Sequence, residues 1–229
     1  MGEKYTIARF TKGSDQFEIL VKSEEALAYK MGQNIPISNL IVTDTIFIDV
    51  SKGTKASEEK LIKNFGTTDS LKIAEFILSK GALQLTAEQR RRLIEDKKKQ
   101  IVSYITRNCI DPKTGLPHPP LRIEQALQHV HYSIDINKSV EEQARDIIKL
   151  LRPILPLKVE NVRVAIKIPP TYTAKAYGVV KGMGEIKKEV WKSDGSWIAL
   201  VEVPAGSYGP LLEKLGKLTH GNVESKLIK

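Results

Sequence analysis

A single cysteine, Cys109, stands in 229 residues. It excludes an internal disulfide and a cysteine-built zinc site, and with them the small folds that depend on such staples. Histidine is scarce too, with four in the chain. No apolar run approaches the roughly 20 residues that a membrane-spanning helix needs. The opening MGEKYTIARF lacks the apolar core of a secretory signal. Its Met-Gly start continues as EKYT, a poor context for myristoylation. Cytoplasm is the expected compartment, with no membrane partner. The nucleotide and hydrolase fingerprints are missing as well: there is no P-loop, no HExxH and no GxSxG. The spaced glycines Gly178, Gly182 and Gly184 neither follow a strand nor open a helix, and they read as the end of a helix.

What is present is an ordinary globular composition, 41% hydrophobic and 28% charged, with a formal net charge of +9. Such an excess suggests a polyanionic partner, most simply nucleic acid. The excess is uneven. Residues 1–85 carry 11 Lys+Arg and 11 Asp+Glu, net zero; residues 86–160 carry 14 and 10, net +4; residues 161–229 carry 11 and 6, net +5. The first third can therefore bind RNA only if its lysines share a face.

These divisions coincide with breaks in pattern, and the chain reads as an α+β multidomain protein. In residues 1–85, Tyr5–Phe10 and Phe17–Val21 alternate around Lys12-Gly13-Ser14-Asp15, a hairpin with a longer loop. A helix over Glu24–Met31 ends at Gly32, and a strand runs through Ile41–Val50. Ile46, Ile48 and Val50 alternate there with Phe47 and Asp49. Lys52-Gly53 breaks that strand. Ser57 is placed to cap a helix whose first turn holds Glu58 and Glu59, whose buried face is Leu61, Ile62 and Phe65, and which Gly66 ends. Lys52, Lys55, Lys60 and Lys63 are left for solvent or a partner. Ser70–Lys80 is a second helix closed by Gly81, and Leu83 and Leu85 form a last short strand.

In residues 86–160, Thr86-Ala-Glu-Gln89 is a capping box that opens a helix to about Asn108. The loop Asp111–Pro120 holds four prolines and breaks the pattern. Ile123, Ala126, Leu127 and Val130 mark an amphipathic helix. A second capping box, Ser139-Val-Glu-Glu142, opens another helix lined by Val140, Ala144, Ile147 and Leu151, making a three-helix bundle. Residues 161–229 read as strand (162–168), helix (171–183), strand (185–192), strand (197–203), helix (208–218) and strand (223–228). That β-α-β-β-α-β order is ferredoxin-like.

Catalysis finds little support. His129 and His131 would point about 200° apart on a helix, too far to share a metal. Cys109 has no local base partner and reads as a small buried hydrophobe. The pairs Glu24-Glu25, Glu58-Glu59 and Glu141-Glu142 sit in first helical turns, where the macrodipole accounts for them. The chain is expected to be no enzyme and to carry no catalytic residue, metal or cofactor. Binding chemistry is better represented. Arg90, Arg91, Arg92, Lys97, Lys98 and Lys99 form a basic stripe about two helical turns long, suited to phosphates. Arg9, Lys12 and Lys22, with Lys52 and Lys55, offer a second patch, and Tyr5, Phe10 and Phe17 are the rings that could stack on bases.

FIDVSKGTKASEEKLIKNFGTTD at residues 47–69 resembles a signature of the SBDS family, the archaeal and eukaryotic ribosome-maturation proteins. ARFTKGSDQFEI, ILSKGALQLTAEQR, CIDPKTGLPHP, IEQALQHVHYSIDINKS and EEQARDIIKLLRPILPL extend the resemblance, in its short archaeal form, over the whole chain. The last region matches mainly in pattern. The resemblance implies three domains: an α+β N-terminal domain over 1–85, a three-helix middle domain over 86–160 and a ferredoxin-like C-terminal domain over 161–229. It implies a factor that acts on the large ribosomal subunit late in its maturation, with the N-terminal domain reaching rRNA near the peptidyl-transferase centre and the peptide-exit entrance; the chain is expected to be a monomer. In eukaryotic members an elongation-factor-2-like translational GTPase cooperates to evict the anti-association initiation factor from that subunit. Carried onto this chain, Arg9, Lys12, Lys22, Lys52 and Lys55 become its RNA contacts, and hinges near Leu85 and Pro153–Lys158 let the domains reorient. Two other readings stay open: a general RNA-binding or RNA-processing accessory protein, suggested by the same charge, and a protein–protein adaptor that docks through the ferredoxin-like last region with the net-neutral first region as support.

Overall fold

Alternation of apolar and polar residues builds the first sheet. Strand β1 (Tyr5–Lys12) and strand β2 (Asp15–Lys22) pair in antiparallel register from Tyr5↔Lys22 to Lys12↔Asp15. The connection is therefore the two-residue turn Gly13-Ser14, tighter than the alternation suggested, with Gly13 at φ 61°. A computed structural model describes residues 4–228. The chain divides into a unit ending at Arg92 and a second beginning at Leu93.

In the first unit, helix α1 (Ser23–Lys30) follows β2 directly, and Pro36 leads into the single helical turn α2 (Ile37–Leu40). The expected strand over Ile41–Val50 shrinks to β3 (Phe47–Asp49). Ile41 makes only an isolated bridge to Val21, and Thr43 and Thr45 turn the chain through a side-chain hydrogen bond before the ladder resumes. Strand β4 (Thr54–Lys55) folds back on β3, so the Lys52-Gly53 break is a hairpin turn. Helix α3 (Glu58–Phe65) begins where Ser57 Oγ accepts the Lys60 amide and stops at Gly66, φ 73°. Of its three expected core residues Leu61 is buried and Phe65 packs on the core, but Ile62 is 56% exposed. Helix α4 (Ser70–Lys80) and the short strand β5 (Ala82–Leu83) complete the unit. The sheet order is β4-β3-β2-β1-β5. Its core face carries Ala8, Phe17, Ile19 and Val21 against Ile73, Ala74, Ile77 and Leu78 of α4.

Helix α5 (Ala87–Asn108) opens with the capping box in both directions. The Thr86 amide donates to Gln89 Oε1, and the Gln89 amide donates to Thr86 Oγ1. In the second unit, strand β6 (Cys109–Ile110) pairs with strand β7 (Lys158–Val159). Helix α6 (Pro120–Gln128) starts with proline in its first turn, where no amide hydrogen is needed. Helix α7 (Val140–Leu151) is capped by Ser139 Oγ, which accepts the Glu142 amide. Ile101, Ile105, Ile123, Ala144, Ile147 and Leu151 are buried together between these three helices.

Residues after 160 build a separate core. Strand β8 (Asn161–Ile168), helix α8 (Thr173–Met183), strand β9 (Glu185–Trp191), strand β10 (Trp197–Pro204), helix α9 (Tyr208–Leu218) and strand β11 (Glu224–Ile228) follow the expected element order. The sheet runs β11-β8-β10-β9. The buried residues of α8 and α9, Ala176, Val180, Leu211 and Leu215, share a core with Trp197, Ala199, Val201 and Val203 of β10.

The segment expected to act as a hinge, Pro153–Lys158, is anchored instead. Leu155 and Leu157 are buried in the helical core, and Lys158 belongs to β7. The following 3-10 turn Ala205–Ser207 abuts the end of α5. A Cβ at Gly206 would collide with the carbonyl oxygens of Thr106 and Arg107. Backbone cannot yield as a flexible side chain can, so Gly206→Ala should destabilise the second unit by about 1–3 kcal/mol. Thermal unfolding measures this; an unchanged transition would show that the joint is looser than its packing.

Candidate nucleic-acid interface

The Lys52 turn is built from below by a buried carboxylate. Glu18 lies on the face of the first sheet opposite the core, where strand alternation would leave it in water, yet it is only 1% exposed. Arg9 Nε and Nη2 both reach Glu18 Oε1 at 2.7 Å, and Gln16 Nε2 donates to the same oxygen at 2.9 Å. The other oxygen accepts the Val50 amide at 2.8 Å, which pins the loop over the sheet. The loop then turns sharply: Gly53 N donates to the Val50 carbonyl, with Gly53 at φ 66°, the left-handed region where a side chain would be strained. Asp49 Oδ1 accepts the Lys52 amide, and Asp49 Oδ2 lies 3.4 Å from Lys52 Nζ. The Lys52 amide, and then its ammonium, hold the Asp49 carboxyl below the usual carboxylate range. Lys52 stays 79% exposed at the tip, and Lys55 is exposed in β4 opposite Phe47.

The residues of the expected first patch thus separate. Arg9 lies on the same face as Glu18 and braces the Lys52 turn. Lys12, of opposite parity in β1, lies on the helix side and donates to the Asn64 carbonyl at the end of α3. Lys22 is half-buried opposite Tyr5, at the far end of the hairpin from Lys12. Lys60 is paired with Asp15 at 3.0 Å. Of the three rings, Phe17 is fully buried and Phe10 packs against Phe65 and Phe76, while Tyr5 is exposed.

The α5 cations also differ from a stripe. Consecutive helical positions are 100° apart, so each triplet fans over about 200° of the circumference. Arg90–Arg92 belong to the first unit and Lys97–Lys99 to the second. Arg92 Nη2 pairs with Glu24 at 2.8 Å, and half-buried Lys97 donates to the Lys138 carbonyl. Arg90, Arg91 and Lys99 are exposed, and Lys98 is half-buried.

The groups considered for catalysis lie apart. His129 is the exposed C-cap of α6, and His131 is exposed beyond it. His118, which no sequence pattern singles out, is buried and bonded through Nε2 to the Pro156 carbonyl. The HxP pattern inside a proline loop carried no periodic signal for it. Cys109 is buried, and burial pushes its thiol up to about 11 despite the nearby Arg152. Its thiolate fraction at neutral pH is therefore about a hundredfold below that of an ordinary thiol. Alkylation of the native protein should be correspondingly slow and become fast on unfolding. Rapid labelling of the folded chain would contradict this environment. Among the described residues, no cluster of three or more His, Cys, Asp or Glu could hold a metal, and no helix is long and apolar enough to cross a membrane.

Fold and surface together define an α+β multidomain protein with exposed cationic groups on separate elements. Residues 4–91 match the Shwachman-Bodian-Diamond syndrome (SBDS) N-terminal domain, residues 99–160 the SBDS protein domain II, and residues 162–229 the SBDS protein C-terminal domain. The chain is 44% identical over 228 residues to the ribosome maturation protein SDO1 homolog of Methanothermobacter thermautotrophicus, covering 99% of this chain and 98% of that one. It is 42% identical over 227 residues to the protein of the same name from Aeropyrum pernix, covering 99% and 97%. The ribosome maturation protein SBDS of Xenopus tropicalis is 32% identical over 163 residues, 71% of this chain and 65% of that one. The chain belongs to the SBDS family.

Proposed function

We propose that this chain is a non-enzymatic ribosome maturation factor that binds large-subunit rRNA in the cytoplasm as a monomer. In this reading its three regions are an RNA-contacting N-terminal domain over 1–85, a three-helix middle domain over 86–160 and a ferredoxin-like domain over 161–229. An elongation-factor-2-like translational GTPase supplies the energy, and the step it drives releases the anti-association initiation factor from the large subunit. The observation that carries the RNA contact is the turn at Lys52. Its backbone is fixed by a buried carboxylate while its ammonium, and that of nearby Lys55, remain in solvent. With the backbone of the turn already held, only the lysine side chains are left to order when they meet a phosphate. Arg9 supports the turn through Glu18, and the exposed Arg90 and Arg91 add attraction from the first unit.

Sedimentation with purified large ribosomal subunits tests the proposal. Charge reversal at Lys52 and Lys55, and separately across Arg90–Arg92, should weaken cosedimentation in a salt-dependent way. Unchanged cosedimentation for both would remove these residues from the interface. Salt-insensitive association with an RNA-free partner would favour an adaptor instead.

A further inference from the structure

Alternation along its strands gives the last sheet two faces, and the core it shares with α8 and α9 uses one of them. Val164 and Ile166 of β8 and Ala199 and Val201 of β10 are buried in that core. Ala165, Ile198 and Leu200 occupy the intervening positions, so they point the other way, and none of them joins the core. All three are half-buried within the sheet. Val190 of β9, opposite Ile198, is 59% exposed on the same face. The open side of the sheet therefore carries a strip of apolar side chains.

Strand register sets the charges around that strip. Lys226 of β11 pairs with Ala165, Ala165 with Leu200, and Leu200 with Lys188 of β9. One row across the four strands thus has an exposed lysine at each end and two apolar residues between them. The three carboxylates that the strands place on this face are already engaged. Glu224 accepts from Lys167 at 2.6 Å, and Glu202 accepts from Arg163 at 3.0 Å. Lys187, at the bulge in β9, reaches Glu185 at 2.6 Å and Glu202 at 3.7 Å. Lys188 and Lys226 have no ion-pair partner among the described residues. Two cations are left over, one on either side of the apolar strip.

What covers such a strip must bring apolar side chains with negative charge on both flanks. Single-stranded RNA is disfavoured, because bases splayed on a sheet stack on rings. The central strands β8 and β10 place no ring on this face, and Glu202 in the middle of it repels phosphate. A second copy of the chain would bring together two faces with the same surplus of positive charge. A helix fits better. The backbones of Lys188 and Lys226 stand roughly 14 Å apart, three strand spacings, and a helix is about 10 Å across. Its apolar stripe can lie on Ala165, Ile198 and Leu200 while carboxylates on its two sides reach the two lysines.

We propose that the open face of the last sheet docks an amphipathic helix with acidic flanks, supplied by a partner protein. The Lys52 turn takes no part in this surface, which adds a protein contact to the rRNA contact proposed for that turn.

The test titrates the full chain into a fluorescein-labelled synthetic helix with leucines along one stripe and glutamates on both sides of it. One control peptide has the same composition in scrambled order, and another has lysines in place of the glutamates. Anisotropy should show the acidic helix binding at least about tenfold more tightly than either control. Lys188→Glu with Lys226→Glu should weaken that binding about tenfold at low salt, and the gap from the wild type should narrow as salt is raised. Leu200→Thr changes no charge and should weaken binding about three- to tenfold whatever the salt. Val190→Thr makes the same test at a position open enough to leave folding untouched, and thermal unfolding checks all the variants. Equal binding of the scrambled peptide, or unchanged affinity in the charge-reversed variant, would overturn the proposal. A short uridine oligonucleotide that displaces the peptide would also overturn it, assigning the face to RNA. So would a wild-type dimer that Leu200→Thr dissociates, assigning it to a second copy. The Lys52→Glu/Lys55→Glu variant should keep full peptide binding, so failure of the rRNA reading and failure of this one are distinguishable.

Discussion

Glu18→Ala is expected to lower stability by about 2–4 kcal/mol and to free the Lys52 turn from the sheet. Three donors lose their acceptor at once: the Arg9 guanidinium, the Gln16 amide and the Val50 N–H. Arg9 is half-exposed and can turn to water, so its loss is modest. The Val50 amide is half-buried and pinned by this one bond, and leaving it unmet costs about 1–3 kcal/mol. Collapse around the vacated carboxylate adds the remainder. Glu18→Gln keeps one acceptor but presents an NH₂ group to one side of the cluster, so it should cost less than the alanine variant. Urea unfolding gives the stability change, and hydrogen exchange at the Val50 amide gives the local one. A loss under about 0.5 kcal/mol with unchanged protection at Val50 would mean that Glu18 does not hold the turn.

The second large effect is electrostatic and leaves the fold intact. The Lys52→Glu/Lys55→Glu variant should bind large subunits about 10- to 100-fold more weakly near physiological salt. Its slope of log affinity against log salt should flatten by about one to two, as two phosphate contacts are lost. Stability should stay within about 0.5 kcal/mol, because both side chains are exposed and the Lys52–Asp49 pair is a surface contact. A neutral Lys52→Gln variant separates loss of attraction from the new repulsion beside Asp49. Large subunits with abundant competing RNA should discriminate the variants less as salt rises. Equal slopes for the wild-type and reversed proteins would place the interface elsewhere.

These two outcomes differ in how far the sequence foretold them. Local rules carried most of the helices. Ser57, Thr86 and Ser139 cap as their spacing predicts, Gly66 stops α3, and α4 and α9 begin and end at the expected residues. Each of those signals is written within a few residues. The two-residue strands β4, β6 and β7 are too short to show any period, and α2 is a single turn. Glu18 was invisible for another reason. It occupies an outward position in a strand, and its burial comes from the Val50 loop folding across the sheet, a tertiary event. The separation of Arg9 from Lys12 was legible, because three positions along a strand place side chains on opposite faces. Gly206 and Lys226 owe their meaning to neighbours far along the chain, α5 in one case and β8 in the other.

The central claim is that the Lys52 turn faces rRNA on the large subunit. Cys109 is buried and its thiol is pushed up to about 11, so a Lys52→Cys variant offers the reactive thiol needed to tether a hydroxyl-radical probe there. Bound to purified large ribosomal subunits, the tethered probe should cut large-subunit rRNA within one confined region, and the cuts should fade as salt is raised. Absence of cuts from a bound protein, or cuts scattered equally over unrelated RNAs, would contradict the account.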